Sequence, residues 1–518
     1  MNIYKNLTTA FLLGSLILPA PVLAIEDSAA TADMSNIAVQ QVEAPTIKVK
    51  KGSVLSLNDC IAIALNNSPE VRTAQHDYWI TKTDINIAKS QFFPTINVGA
   101  GYDFTDTKIA SRTSDINSTN LNATLNMLLF DFGKTYAQIK MHKFYLIADE
   151  YTFYNAVRTV TFDVKQKYYR VLAARANVLI NQAYVDINER NYLRTKAYYD
   201  EGLKSKIDLV NSEVTLSDSK IKLIDSENAY ENAIVNLNNS MYLIEAPNYS
   251  IEAVFGLNLT DNTAPVDLGK FEKISEKESS KTPAGVSDAT LTSEIEKLEL
   301  LTDYKIEKFP YSFDECLKMA QKNRADLKAY RSTVDAIDEN LLFIKRNFYP
   351  AITANAGYGL RDNSASTTTN SLNVGVNISS SLNIMAQKNR VDAGKYHLDI
   401  AKITLKKLED DIYFQVQNAY VNVIQLAKQI PLQAVKVRQT RENYELAEGR
   451  YYVGLSDYLE LQNAKLNYNN AQHSYINAIY LYNVAVANLE SVISYPQKIT
   501  KTLEVKHNGC KKQNKGSN

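Results

Sequence analysis

Several residue types are scarce in this chain, and each scarcity excludes something. Glycine numbers 17 and proline 12 in 518 residues, too few for a loop-rich sheet protein and well suited to long helices. There are three cysteines, Cys60, Cys316 and Cys510, with no CxxC, so neither a disulfide framework nor a thiolate metal site is encoded. Cys60 and Cys316 occupy matching places in two copies of a repeat, which reads as two small buried side chains rather than a bond. The charge balance, 57 basic against 57 acidic residues, offers nothing to a nucleic-acid partner. Five histidines, His76, His142, His397, His473 and His507, are scattered without ligand spacing. With no glycine-rich phosphate loop and no nucleophile motif, no enzyme, cofactor or metal site is expected.

The apolar runs are short as well. The longest, Ala10 to Leu18, follows Lys5 and precedes Val22-Leu23-Ala24, which reads as a secretory signal peptide over residues 1–24, cleaved after Ala24. The run is too brief to span a bilayer as a helix. Residues 25–54 form a polar, patternless extension expected to be mobile.

What is present is periodicity. From Leu461 every seventh residue is large (Leu461, Tyr468, Tyr475, Tyr482, Leu489), and from Ala464 every seventh is small (Ala464, Ala471, Ala478, Ala485). This is a sustained a/d heptad. A second series, Leu459, Leu466, Tyr480 and Ala487, interrupted by His473, lies two residues earlier, a rotation of about 200°. The helix therefore has two seams and needs a neighbour on each side. The same arrangement stands 252 residues earlier, with Leu209, Leu216, Leu223, Tyr230 and Leu237 over Ser212, Ser219, Ser226 and Ala233, and a second seam of Ile207, Val214, Ile221 and Val235 broken by Asn228. The chain reads as an internal duplication.

Each copy opens with a short helix capped by Ser56 or Asn58 in the first, continues into a second helix, and stops at Phe93-Pro94 or Tyr349-Pro350. Past each proline the apolar period changes from about 3.6 to 2. The faces are Ile96, Val98, Ala100, Tyr102, Phe104 with Leu121, Ala123, Leu125, Met127, Leu129, and then Ile352, Ala354, Ala356, Tyr358, Leu360 with Leu372, Val374, Val376, Ile378. These are two hairpins, 95–129 and 351–382, of strands about ten residues long, enough for a tilted transmembrane strand. Four strands cannot close a barrel, and an open edge cannot sit in lipid, so several copies of the chain must pool their strands.

The expected domains are repeat 1 over 55–244, with helices at 133–200 and 204–242, and repeat 2 over 309–494, with helices at 386–452 and 456–492 and a kink at Pro431. A linker at 245–308, carrying a charged run from Lys270 to Lys281 and a short helix at Ser293 to Leu301, separates them, and a basic tail follows from 495 to 518.

This order of elements resembles the TolC-like outer membrane factors, on the strength of Phe93-Pro94 and Tyr349-Pro350, Leu129-Phe130-Asp131-Phe132-Gly133, and the turns around Tyr199 to Leu203 and Tyr451 to Leu455. The resemblance implies an α+β membrane protein that trimerises into a twelve-stranded outer-membrane barrel continued by a twelve-helix periplasmic barrel. It implies an exit duct for an efflux pump or type I secretion system, partnered by a periplasmic adaptor and an inner-membrane transporter. It places Gly202, Leu203, Gly454 and Leu455 at helical tips that meet the adaptor. Asp208 and Glu460, six residues past the turn glycines, then either ring the periplasmic aperture with six carboxylates or suit the helix dipole, and Tyr199 and Tyr451 either link neighbouring helix pairs or simply pack. The chain departs from the family in Met385, which stands where the first copy has Gly133, and in Ser456, where some relatives carry a basic residue. The competing expectation is a secreted or periplasmic structural coiled coil that never enters lipid.

Overall fold

The computed structural model describes residues 49, 51–109, 112–244, 246–252, 309–363, 366–380 and 383–494. The expected signal peptide, the N-terminal extension to residue 48, most of the linker and the basic tail lie outside the described residues, as does Cys510.

The described chain runs β1 (Val54–Leu55), α1 (Leu57–Asn67), α2 (Pro69–Ser90), β2 (Thr95–Ile109), β3 (Arg112–Phe130), α3 (Lys134–Asp200), α4 (Lys206–Ser240), β4 (Ser250–Ile251), and then α5 (Phe313–Asn323), α6 (Ala325–Arg346), β5 (Ala351–Asn363), β6 (Ser366–Ser379), α7 (Ile384–Tyr452) and α8 (Tyr458–Val492). Two short helices, a hairpin, a very long helix and a shorter one thus occur twice in the same order. Capping chemistry starts the first helix of each set alike: Ser56 forms a capping box with Asp59, and Ser312 forms one with Glu315. The next helices begin differently. Ser68 accepts from the Val71 amide ahead of Pro69, whereas Arg324 has no cap bond and instead holds the Asp326 carboxylate, Nη2 to Oδ2 at 2.6 Å.

At 67 and 69 residues, α3 and α7 each extend about 100 Å. Pro431, the position at which the sequence pattern expects a kink, lies inside α7, with helix on both sides of it. The proline removes one donor, but the carbonyl it strands lies in a long helix whose neighbouring turns stay bonded and packed. Along its length α3 packs against α2 and α4 and, from the other set, α6 and α8; α7 packs against α5, α6 and α8. The end of α4 meets the start of α2: Asn67 Nδ2 donates to the Met241 carbonyl at 3.1 Å, and the Tyr242 hydroxyl donates to the Glu70 carboxylate. Two shorter helices therefore line up end to end beside one long one.

The small side chains of the heptads are what permit this closeness. Ser212, Ser219, Ser226 and Ala233 on α4 are buried, and each of the three serines returns its hydroxyl to the carbonyl three residues back at 2.7 Å, so burial leaves none of them unbonded. On α8, Ala464, Ala471, Ala478 and Leu489 are buried likewise. One apolar cluster joins Ile180 of α3, Cys316 of α5, Leu327 of α6, Ile412 and Val416 of α7 and Tyr475 of α8; another joins Cys60, Ile61, Tyr168 and Leu237. Both cysteines are buried and free, and burial raises both thiols, Cys60 to about 12 and Cys316 to about 11.

The hairpins form one antiparallel sheet in the order β2-β3-β5-β6. Its strands are 13 to 19 residues long, not the expected ten, because pairing continues past the apolar segments through the polar loops. A second, two-stranded parallel sheet pairs β1 with β4, and Tyr168 at the helix core donates its hydroxyl to the Glu252 carbonyl beside it at 2.5 Å.

Candidate functional site

Register decides which residues share a face of the four-stranded sheet. Ile96 stands opposite Leu125, Leu125 opposite Ala356, and Ala356 opposite Val374; Tyr358 lies between Ala123 and Leu372 in the same way. One face is therefore apolar across all four strands, and its side chains are bare: Val98 is 74% exposed and Val374 77%. A contiguous apolar area of this kind against water would be a severe liability, and against lipid it is a requirement.

The opposite face is built from asparagine and glycine, a pattern that the apolar alternation alone does not pick out. Asn122 stands between Gly99 and Gly359, Asn120 opposite Gly101, and Asn355 between Asn126 and Gly375. A Cβ on Gly99 would come within 2.4 Å of Asn122 Oδ1, and one on Gly101 within 2.7 Å of Asn120 Oδ1. Glycine supplies the room the amides use, and the visible signal was glycine and asparagine recurring every second residue, out of phase with the apolar series.

The sheet joins the helices through an aromatic collar. Phe132 stacks on Tyr349 with centroids 5.4 Å apart and meets Phe130 edge-on at 4.9 Å, and Phe92, Phe93 and Phe348 are exposed nearby in sequence. Phe132 at φ 56° and Gly133 at φ 79° turn the chain into α3. Asp131, nearly buried, secures the turn by accepting from the Gly133 amide at 3.1 Å and the Thr135 amide at 2.6 Å. Arg346, ending α6, donates to the Gly133 carbonyl.

At the far end of the helices, α3 closes on Gly202 (φ 74°) and α7 on Gly454 (φ 78°). The following amides, Leu203 and Leu455, reach back to the Tyr198 and Arg450 carbonyls at 2.8 and 2.9 Å. Leu203 and Leu455 project from these tips, each more than 70% exposed. Tyr451 is buried against Tyr458 and under the Lys204 ammonium, 3.9 Å from its ring centroid, while Tyr199 is exposed. The two tyrosines thus sit in different environments. Asp208 closes a capping box with Ser205, Oδ2 accepting from the hydroxyl at 2.8 Å. Glu460 accepts from the Ser456 hydroxyl at 2.5 Å and pairs with Arg450 at 3.3 Å, and Asp457, not Ser456, caps α8. Ser456 thereby has a local role in the place of the basic residue.

His473 packs in the seam with its ring nitrogens 2.7 Å from Asn177 Oδ1 and 3.0 Å from Asn181 Oδ1. Among the described residues no group of three or more His, Cys, Asp or Glu is placed to hold a metal ion, and no helix is long and apolar enough to cross a membrane.

A sheet with one lipid-compatible face, mounted on helices too long for any globular core, defines a class of membrane protein that embeds its strands and projects its helices into water. The chain belongs to the outer membrane efflux protein family, whose sequence profile matches residues 60–241 and 316–494. It is 21% identical over 442 residues to outer membrane protein TolC of Escherichia coli (strain K12), spanning 82% of this chain and 80% of that one. Among solved structures, the Campylobacter jejuni CmeC outer membrane channel superposes with a TM-score of 0.67 at 14% identity, covering 86% of this chain and 88% of that one. The open-state MtrE channel of Neisseria gonorrhoeae gives 0.62 at 16% identity over 86% and 93% of the respective chains. The fold is that of outer-membrane efflux channels.

Proposed function

We propose that three copies of the chain close a twelve-stranded barrel in the outer membrane and continue it as a twelve-helix periplasmic tunnel, forming a passive exit duct. The observation that carries this reading is the open sheet itself. β2 and β6 are its edges, each with one side unpaired among the described residues, so closure in lipid needs strands from elsewhere. The helices point the same way: Ile207, Val214, Ile221 and Val235, the second seam of α4, are all exposed, whereas in the matching α8 seam only Leu459 is exposed, Leu466 and Tyr480 are half-buried and Ala487 is buried. A wall helix at the edge of one protomer has that appearance. A coiled coil living wholly in water would leave the strand face without a partner.

The asparagine and glycine face then lines the lumen and the aromatic collar sits at the periplasmic interface. On this reading Asp208 and Glu460 give six carboxylates near the aperture, with Tyr451 packed behind them, and Leu203 and Leu455 offer the apolar tips to a periplasmic adaptor that couples the duct to an inner-membrane transporter of an efflux pump or type I secretion system. Mass measurement of detergent-extracted protein together with planar-bilayer recording tests the reading. A trimer with stable ion conductance supports it, and a non-conducting monomer ends it.

A further inference from the structure

Helices from both sets meet around a cavity of about 310 Å³ about two to four turns above the tips, lined by Arg190, Asn191 and Arg194 of α3, by Arg441 and Glu448 of α7, and by Lys465 and Asn469 of α8 among others. Its floor is donor-rich and unpaired. Lys465 is 2% exposed and its Nζ has no hydrogen-bond partner; the same holds for Nδ2 of Asn469, 3% exposed, and for Nδ2 of Asn191, 5% exposed. The Asn191 amide is oriented by its oxygen, which accepts from the Tyr452 hydroxyl at 2.6 Å. A buried donor left without an acceptor is destabilising, and a buried ammonium more so. Residues carrying three such donors line one space, a costly arrangement unless something accepts from them.

The acceptors at hand are already engaged or outnumbered. Glu445 is paired with Arg441, Nε to Oε1 at 2.8 Å, which leaves Glu448, hydrogen-bonded by Tyr444, as the other carboxylate in a lining that also holds Arg190, Arg194 and Lys465. A cation is thereby excluded as the occupant. The position is also particular to the second set: 252 residues earlier the counterpart of Lys465 is Glu213, and that of Asn469 is Ser217.

We propose that this cavity is a binding site for a small tetrahedral oxyanion of the sulfate or phosphate type, held by the Lys465 ammonium and the Asn191 and Asn469 amides with Arg190 and Arg194 beside them. Charge-assisted bonds from five donors suit such an ion. Because its walls come from α3 on one side and from α7 and α8 on the other, the bound ion fastens the two antiparallel helix pairs to each other near the tips. Burial lowers the Lys465 pKa to about 7, with Glu448 opposing and Arg194 and Arg190 reinforcing the shift, so at pH 8 the unliganded amine is largely neutral and oxyanion binding draws in a proton.

Titration calorimetry of the full-length protein in detergent tests this, using inorganic sulfate, which has no titratable proton near pH 8, against chloride at matched ionic strength. Saturable sulfate binding is expected, with proton uptake read from two buffers of different ionisation heat. Lys465→Met, a change of similar volume, and Asn469→Leu should each weaken it by about ten- to hundredfold, and Lys465→Arg should retain it without the proton uptake. Absence of saturable binding in the unmodified protein, or sulfate binding by Lys465→Met and Asn469→Leu equal to that of the parent, overturns the site.

Discussion

The Lys204 ammonium sits 3.9 Å above the centre of the Tyr451 ring, so the turn that ends one long helix is clasped to the last turn of the other. Tyr451 is 2% exposed while Lys204 lies partly in water, a placement in which the cation keeps hydration and still gains from the ring face. Lys204→Gln should cost about 0.5–1 kcal/mol locally, seen as amide exchange about two- to fivefold faster around residues 198–206 and 450–458 with the rest of the helices unchanged. Unchanged exchange at both tips would show that the contact contributes nothing.

The tips also depend on backbone handedness. Nothing lies within 4 Å of a Cβ placed on Gly454, so space is not the constraint there; its φ of 78° is. Gly454→Ala should therefore lower stability by about 1–2 kcal/mol, and Gly454→Asn by less, since asparagine tolerates the left-handed region. Thermal unfolding followed by the helical circular dichroism signal checks the order.

Neighbouring residues on β6 give the sharpest test of which sheet face meets lipid. Val374 lies on the apolar face, opposite Ala356, and Asn373 on the polar one, opposite Gly357. Val374→Lys should destabilise the inserted sheet by about 2–4 kcal/mol per chain at mid-depth and deplete the protein from the outer-membrane fraction. Asn373→Lys should assemble normally and shift ion selectivity toward anions. Equal tolerance of the two lysines would remove the face assignment.

His473 gives the helices a pH dependence of defined sign. Burial, then the nearby Lys222, hold its pKa below 6.5 in the folded chain, and Arg170 and Asp225 line the same recess. The unfolded chain therefore binds more protons than the folded one around and below pH 6.5, so the contribution of this residue is complete above that value and declines on acidification, by at most about 1.4 kcal/mol per pH unit. His473→Gln should flatten the stability profile between pH 7 and pH 5; an unaltered profile would assign the acid sensitivity to other groups.

Much of this was legible beforehand because it rests on local periodicity. Heptads with a small residue every seventh place force close helix pairing, period-2 stretches force strands with one apolar face, and glycine at 202 and 454 marks turns that only a positive φ completes. The strands run longer than their apolar alternation predicts because backbone pairing does not stop where the alternation stops. The Lys465 cavity was not legible at all: Arg190, Asn191, Lys465 and Asn469 are ordinary polar letters on two helices far apart in sequence, and only packing removes water from around them.

The sequence by itself determined that the chain makes two sets of long seamed helices, each with a strand hairpin whose alternate residues demand an apolar surround, since those outcomes follow from side-chain spacing along a single element. Tertiary structure decided the rest. It fixed the sheet order that makes four strands share one apolar face, the stacking of α4 on α2 beside α3, the separate environments of Tyr199 and Tyr451, and the capping bonds taken up by Asp208 and Glu460. Such outcomes depend on which distant segments become neighbours, and neighbour choice is set by the summed burial of whole faces, a quantity no single stretch of residues contains.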